Sequence, residues 1–413
     1  MTRHPPPGLH NEMEQNLPPP LDARDSRSFA HRTLTRRVPR IVAGLLDTAP
    51  LTAGARFRLG AAVARPLELA VRRLQLPADE APRWEPFFAE HEGRRLAEVP
   101  FFLWEVYLYA WLLIEAGYYD TGVDPFALDK RRDFASSLSC LEQASGAALE
   151  ADAPPAVSSL HRGLMRSLLA NLADASYPEI QGGVVPTGVL HADPWSDLEG
   201  SLLAGGRVLI LADNAMSELW YDLLLARAIA RGAPGSQVEL VVKRHPMFVS
   251  DATAEDVTTL WTLIDEAGAA PSLRRAAAEV RALIASGRIG VRDWPELSAP
   301  WHLSAPGLAP YLDPDTTFVL KGDVNFRRAL EDRAWSPTFP LERACRAPLR
   351  RAVFLRVLKS DCVAGLPAAA VEDVGHADPE WRTNGKHATA QLLRRTPAAT
   401  GTAAGPGPEG SRS

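Results

Sequence analysis

The sequence predicts an α/β protein, a Rossmann-like and mostly parallel sheet flanked by helices, with a helical N-terminal subdomain. Three observations predict it. From about residue 198 onward, short apolar runs alternate with helical pattern, the order expected of β-α-β units. Four of those runs (208–212, 238–242, 318–320 and 353–355) end in charged or amide residues. Before them, residues 29–176 show helical periodicity and little strand pattern.

Taken in order, residues 1–28 are rich in proline and polar groups and read as a flexible tail. Residues 29–190 form the helical subdomain, with 41–46, 57–74 and 103–116 as its clearest helical stretches. Its aromatic set, Phe101, Phe102, Trp104, Tyr107, Tyr109 and Trp111, reads as core packing. Glu105 is the polar residue in that set that can face a cleft. An unpaired buried carboxylate is costly, so Glu105 is expected to pair with a base or reach solvent. Residues 191–394 form the α/β domain, and 395–413, made largely of Thr, Ala, Gly and Pro, read as a second tail.

The first run passes into Asp213-Asn214 and then a helix through Glu218, Leu219, Leu223, Ala226 and Ile229. On the residues alone two readings stay open: one of the pair caps the helix, or both are hard-metal ligands. Glu218, one turn on, is either an acid that orients the site or a surface helix acid. The second run ends at Lys243, with Ser250-Asp251 following and Thr253 with Asp256 forming a capping box. His245 reads as a loop residue or substrate contact, and Lys243-Arg244 as a solvated pair. The third run ends in Lys321-Gly322-Asp323, and the fourth in Arg356 and Lys359. In open α/β sheets ligands bind beyond the carboxyl ends of the strands. Acids, an amide and bases therefore converge on one edge, which suits a divalent metal and an anionic substrate such as a phosphate ester.

Composition excludes other classes. With 45 basic and 50 acidic residues the net charge is −5, no footprint for nucleic acid. Cys140, Cys345 and Cys362 form neither a zinc pattern nor a disulfide framework, which fits a reducing cytoplasm. The first 16 residues lack an apolar signal region. The most apolar stretch, 99–119, is interrupted by Glu105 and Glu115 and reads as a buried aromatic helix, so no membrane partner is expected. Gly205-Gly206 precede the first strand and no glycine lies in the turn after it, which argues against a nucleotide or S-adenosylmethionine cofactor.

Four stretches, LADNAMSELWYDLLLA (211–226), VKRHPMFVSDAT (242–253), LKGDVNFRRALEDRAW (320–335) and LRVLKSDCVAGL (355–366), resemble the damage-control phosphatase family of metal-dependent sugar-phosphate phosphatases. Weaker echoes lie at 28–41, 124–134 (DPFALDKRRDF), 168–176 and 381–388. The eukaryotic branch of that family also carries the description of an acidic-residue (protein-glutamate) O-methyltransferase. The resemblance implies a divalent metal, Mn²⁺ foremost with Ni²⁺, Co²⁺ or Mg²⁺ as alternatives, held by Asp213, Asn214 and Asp251. It adds Lys359 as a phosphate contact to that catalytic set, and places substrate contacts on Lys321, Asp323, Asn325, Arg327 and Arg356. Glu105 joins them from the helical side.

The chain departs from the family pattern at Val357, where the Arg-Thr-x-Lys motif has threonine, and at Phe326, where tyrosine is common. Ala110-Trp111 stand where an arginine is usual, and 168–176 keeps Asn171 and Asp174 but loses neighbouring Trp, Gly and Arg. The expectation is a cytoplasmic, metal-dependent phosphatase of small phosphate monoesters, sugar phosphates above all, whose partner is a phosphorylated metabolite. The alternatives are an S-adenosylmethionine-dependent carboxyl methyltransferase acting on protein acidic residues, or a non-catalytic metabolite-binding relative. Neither the oligomeric state nor the physiological substrate is written in these motifs.

Overall fold

The structure is a computed structural model that describes residues 17–150, 159–170 and 188–395. Seven strands form one sheet in the order β1-β7-β6-β5-β2-β3-β4. They are β1 Gly188–Ala192, β2 Arg207–Leu211, β3 Gln237–Lys243, β4 Ile289–Trp294, β5 Thr317–Lys321, β6 Arg351–Val357 and β7 His387–Arg394. From β6 to β4 every neighbour is parallel; β7 runs antiparallel to β6, and β1 parallel to β7. The four apolar runs are β2, β3, β5 and β6, the middle of the sheet, where burial on both faces requires near-continuous apolar sequence.

Each face has its own core. Val208, Ile210, Leu240, Val242, Val319, Val353 and Leu355 pack under the Ser217–Gly232 and Pro271–Ala285 helices. Leu209, Leu211, Val241, Phe318, Leu320 and Phe354 pack on the other side with Trp294, Leu303 and Trp335. This alternation decides where the motif residues point. Lys321 follows Val319 onto the first face. Lys243 and Arg356 follow Val241 and Phe354 onto the second.

Three expectations are corrected. Residues 57–74 are not one helix: Ala53–Ala64 ends before Pro66, which opens a short 3-10 turn, and Ala70 then bridges Arg95 in extended form. Residues 17–28 are not part of a tail, since Pro20 bridges Arg333, the Leu21 N–H donates to the Asp332 carbonyl at 2.9 Å, and Ala23 is buried. The helical region is also not one unit up to residue 190. Its own core runs from Ala23 to Phe126 and takes in Met247, Phe248 and Val249 from the loop after β3. The Ala127–Glu150 and Ser159–Ala170 helices instead pack onto the sheet, through Phe134, Leu141, Leu164 and Leu168. Among the described residues no helix is long and apolar enough to cross a membrane, and Cys140, Cys345 and Cys362 are free.

Candidate active site

β2 lies between β5 and β3, so the connections out of it diverge and leave a crevice at the carboxyl edge. The chain leaves β2 through Asp213 and Asn214, and the helix starts only at Ser217. Met216 occupies the cap position with φ of 51°, and the Ser217 N–H is capped from another helix by Asp133 Oδ2 at 3.0 Å. The helix-capping reading of Asp213-Asn214 is therefore overturned.

The pair instead binds the loop after β3. Asn214 bridges Asp251, the Ala215 N–H donates to the Ser250 carbonyl at 2.7 Å, and the Ala252 N–H donates to the Asp213 carbonyl at 2.9 Å. Phe248 and Val249 reach this arrangement with φ of 50° and 73°, a sparsely populated conformation for non-glycine residues that the surrounding packing must hold. The outcome is that Asp213, Asn214 and Asp251, separated by up to 38 positions in sequence, share one edge and are all buried. The capping box of Thr253 with Asp256 is present as expected.

Two residues fix the Asn214 amide. Its Nδ2 donates to Glu218 Oε2 at 2.8 Å, and its Oδ1 accepts from the Ser250 hydroxyl at 2.6 Å. Glu218 is 1% exposed, so it is not a surface acid. Its other oxygen accepts from Lys321 Nζ at 2.8 Å. That ammonium also lies 3.1 Å from Asp222 Oδ1 and donates to the Ser167 carbonyl at 2.6 Å. An ammonium has three N–H groups, and all three of Lys321's end on protein. Burial alone would lower its pKa, but Asp222 and Glu218 outweigh it and hold the lysine charged. Burial, with Glu218 nearby, pushes Asp222 up to about 6.

The sequence reading missed two residues here. Lys243 is wholly buried rather than solvated, with Nζ 3.1 Å from Asp251 Oδ2, 3.7 Å from Asp213 Oδ1 and donating to the Ala212 carbonyl at 3.2 Å. The signal was the buried run it ends, since Leu240, Val241 and Val242 directly before Lys243 in β3 are all inside. Gly322 has φ of +74°, and a β-carbon there would fall 1.8 Å from Asp213 Oδ2. A glycine directly after a strand was the available sign of close backbone approach.

The other sequence-selected residues divide. Asp323 Oδ1 pairs with Arg356 Nη2 at 2.7 Å and lies 3.4 Å from the Lys359 amide nitrogen, so these three gather beside Gly322. Arg356 also donates to the Cys362 carbonyl at 2.9 Å and covers the Phe326 ring at 3.9 Å, so the phenylalanine face suffices where tyrosine is common. Val357 lies in the apolar core with Val353 and Leu355, away from Arg356.

Asn325, Arg327 and Glu105, also expected as substrate contacts, are each held by protein groups. The Asn325 amide donates to the Leu211, Ala212 and Lys321 carbonyls at 3.2, 3.2 and 2.8 Å, tying the ends of β2 and β5. Arg327 grips Asp332 through Nε at 2.8 Å and Nη2 at 2.9 Å and reaches Glu105 Oε2 at 2.7 Å, over the Phe101 ring at 4.2 Å. Glu105 thus pairs with a base, joining the aromatic helix to the α/β domain. His245 is held between Glu80 at 3.3 Å and Tyr118 at 3.4 Å. Asn171 and Asp174 lie outside the described residues.

A divalent metal fits the edge. Among the described residues no three His, Cys, Asp or Glu cluster as a metal set; this set is two carboxylates and an amide oxygen. All are hard oxygen donors. The Asn214 amide is oriented from both sides, and glycine at 322 leaves Asp213 Oδ2 its space.

A crossover sheet with oxygen donors on the loops after adjacent parallel strands defines a Rossmann-like α/β protein whose polar residues gather at its switch point. The chain belongs to the damage-control phosphatase ARMT1-like domain family, whose profile matches residues 33–374. Damage-control phosphatase ARMT1 of Danio rerio is 33% identical over 214 residues, 48% of this chain and 47% of the relative. That of Xenopus laevis is 30% identical over 196 residues, 45% and 43% of the two chains. The matched stretch thus spans about half the length of these curated relatives. A DUF89 family protein from Pyrococcus horikoshii aligns over 83% of this chain and 94% of its own at 13% identity and a TM-score of 0.39.

Proposed function

We propose that this chain is a metal-dependent phosphatase of small phosphate monoesters, sugar phosphates foremost, with a metabolite-repair role. The observation that carries the reading is the meeting of Asp213, Asn214 and Asp251 at the switch point, with Asp323, Arg356 and Lys359 reached through Gly322. Family membership supports the phosphatase class.

In this reading Asp213, Asn214 and Asp251 hold the metal, Mn²⁺ foremost. When bound it supplies Lewis-acid polarisation of a phosphoryl oxygen and a site for an attacking water. Lys243 offsets the charge of the two carboxylates it touches. Glu218 and Ser250 keep the Asn214 oxygen turned to the site. Lys359 counters charge on the transferring phosphoryl group. Arg356 positions Asp323, whose remaining oxygen is left to bind a substrate hydroxyl. The three free cysteines accord with a cytoplasmic location. The methyltransferase alternative is less favoured, since the β2 turn has strained Met216 where a cofactor-binding turn has glycine.

The test is phosphate release from sugar phosphates and p-nitrophenyl phosphate by metal-stripped protein resupplied with Mn²⁺, Mg²⁺, Co²⁺ or Ni²⁺, beside Asp213→Ala. Metal-dependent release lost in the variant supports the proposal. Release by Asp213→Ala at the normal rate, or none with any metal, overturns it.

A further inference from the structure

The edge of the sheet away from the candidate active site also gathers charge. A surface concavity beside β5, β6, β7 and the Trp195–Leu203 helix is lined by Arg350, Arg351, Arg394 and Arg395, with Asp315 as the carboxylate among its described lining residues. Arg351 opens β6 and Arg394 closes β7, and they stand directly opposite each other in antiparallel register. Like charges so placed repel.

The contacts that fix the Arg351, Arg394 and Arg395 guanidinium groups are with neutral atoms. Arg351 Nη1 donates to Thr317 Oγ1 at 3.3 Å, and Arg394 Nη2 donates to the Asp197 carbonyl at 3.1 Å and to Ser201 Oγ at 3.0 Å. Arg395 Nη1 donates to the Ala347 and Leu349 carbonyls at 2.8 and 3.2 Å, and its Nε and Nη2 donate to the Glu342 and Cys345 carbonyls, so it adds charge to the concavity while its nitrogens are engaged by the backbone. Arg350 alone of the four faces a lining carboxylate, Asp315, at 3.5 Å, with side chains 47% and 88% exposed, so water screens the pair. The groups are held in place, and only Asp315 among the described lining residues, with Asp193 close enough to Arg394 to feel its charge, offsets the four cations.

A second observation points to a ligand. Thr316 lines the same concavity, is 1% exposed, and its hydroxyl has no hydrogen-bond partner. A buried polar group without a partner is costly, which a bound acceptor relieves.

We propose that this concavity is an anion site, taking a small polyanion that carries phosphate groups, of the pyrophosphate kind. Guanidinium forks match phosphate oxygens two at a time, and several converging cations favour a multiply charged ligand over a monoanion. Four residue steps of about 3.3 Å along β5 put Thr317 roughly 13 Å from Lys321, so one small ligand cannot reach both edges. The proposal does not rest on the phosphatase reading.

The test uses the full chain without added metal and pyrophosphate as the probe, followed by calorimetry at physiological ionic strength. Wild type and Lys359→Gln should share one binding event, and Arg351→Gln with Arg394→Gln should weaken it about tenfold or more. Thr316→Val and the exposed Arg350→Gln serve as milder variants, each expected to weaken the event while melting as wild type does. Citrate should bind less tightly than pyrophosphate. An event lost in Lys359→Gln but kept in the double arginine variant overturns the proposal, as do absence of binding and equal affinity for citrate.

Discussion

After β2 and β3 the polar side chains turn toward one another beyond the sheet; after β5 most of them turn back into the protein. Asp213, Asn214 and Asp251 meet through a loop-to-loop bridge, and a glycine opposite keeps space at Asp213. Lys321, Asn325 and Arg327, equally charged or polar in sequence, end on Glu218 and Asp222, on strand-end carbonyls, and on Asp332 and Glu105. The difference lies in where the donors end. A side chain whose donors are all used inside the protein positions its neighbours, so its loss should register first in stability. A side chain held at the edge with oxygen facing the crevice should register first in turnover.

The sharpest way to break this contrast is Gly322→Ala. With φ of +74° and a β-carbon 1.8 Å from Asp213 Oδ2, the variant must displace the carboxylate. Phosphate release should fall about 100-fold or more, the scale of losing one preorganised electrostatic contact in a site. Unaltered release would remove Asp213 from the chemistry.

Arg327→Met should act oppositely. It leaves Asp332 buried without its cation and Glu105 with Arg37 alone at 3.7 Å, so denaturant melts should show a loss of about 3–5 kcal/mol. Turnover per folded molecule should stay near wild type. A large fall in turnover at unchanged stability would return Arg327 to the substrate.

Lys321→Met should fall between the two. It strands Glu218 and Asp222, so stability should drop by about 2–4 kcal/mol. Adding Asp222→Asn should recover part of that loss, and failure to recover would mean that the three are not one network.

A smaller effect concerns pH. Burial lowers the His302 pKa from 6.5 to about 3, and its ring packs 5.1 Å from Phe102 of the aromatic helix. The unfolded chain binds the proton that the folded chain refuses. His302 therefore contributes stability above pH 6.5 that is lost as pH falls toward 3, by at most about 1.4 kcal/mol per pH unit. His302→Gln should flatten the wild-type slope below pH 6.5. Parallel slopes would mean that the imidazole is charged in the fold.

The middle of the sheet was legible because β2, β3, β5 and β6 are buried on both faces and must be apolar. The strands outside it were not. β4, at the sheet edge, carries an exposed Arg292 and a half-buried Asp293, and β7 carries Ala388, Ala390 and Gln391, residues of weak strand preference. The meeting of Asp213, Asn214 and Asp251 at one edge was legible from their place after strands and from the family resemblance. What the sequence did not reveal was partnership. Nothing local to Arg327 says that Glu105 waits 222 positions away, and nothing local to Lys243 says that both neighbouring carboxylates will be aspartates of the site. Those facts arise only when the aromatic helix and the loop after β3 close on the sheet.

The most direct test of the central claim is Mn²⁺ binding to Asp213→Asn, read by calorimetry alongside its melting temperature. The substitution keeps the shape and removes one negative charge from the edge. The account predicts a melting temperature close to wild type, with Mn²⁺ affinity and phosphate release both sharply reduced. Wild-type Mn²⁺ affinity in that variant would contradict the assignment of the metal to this edge.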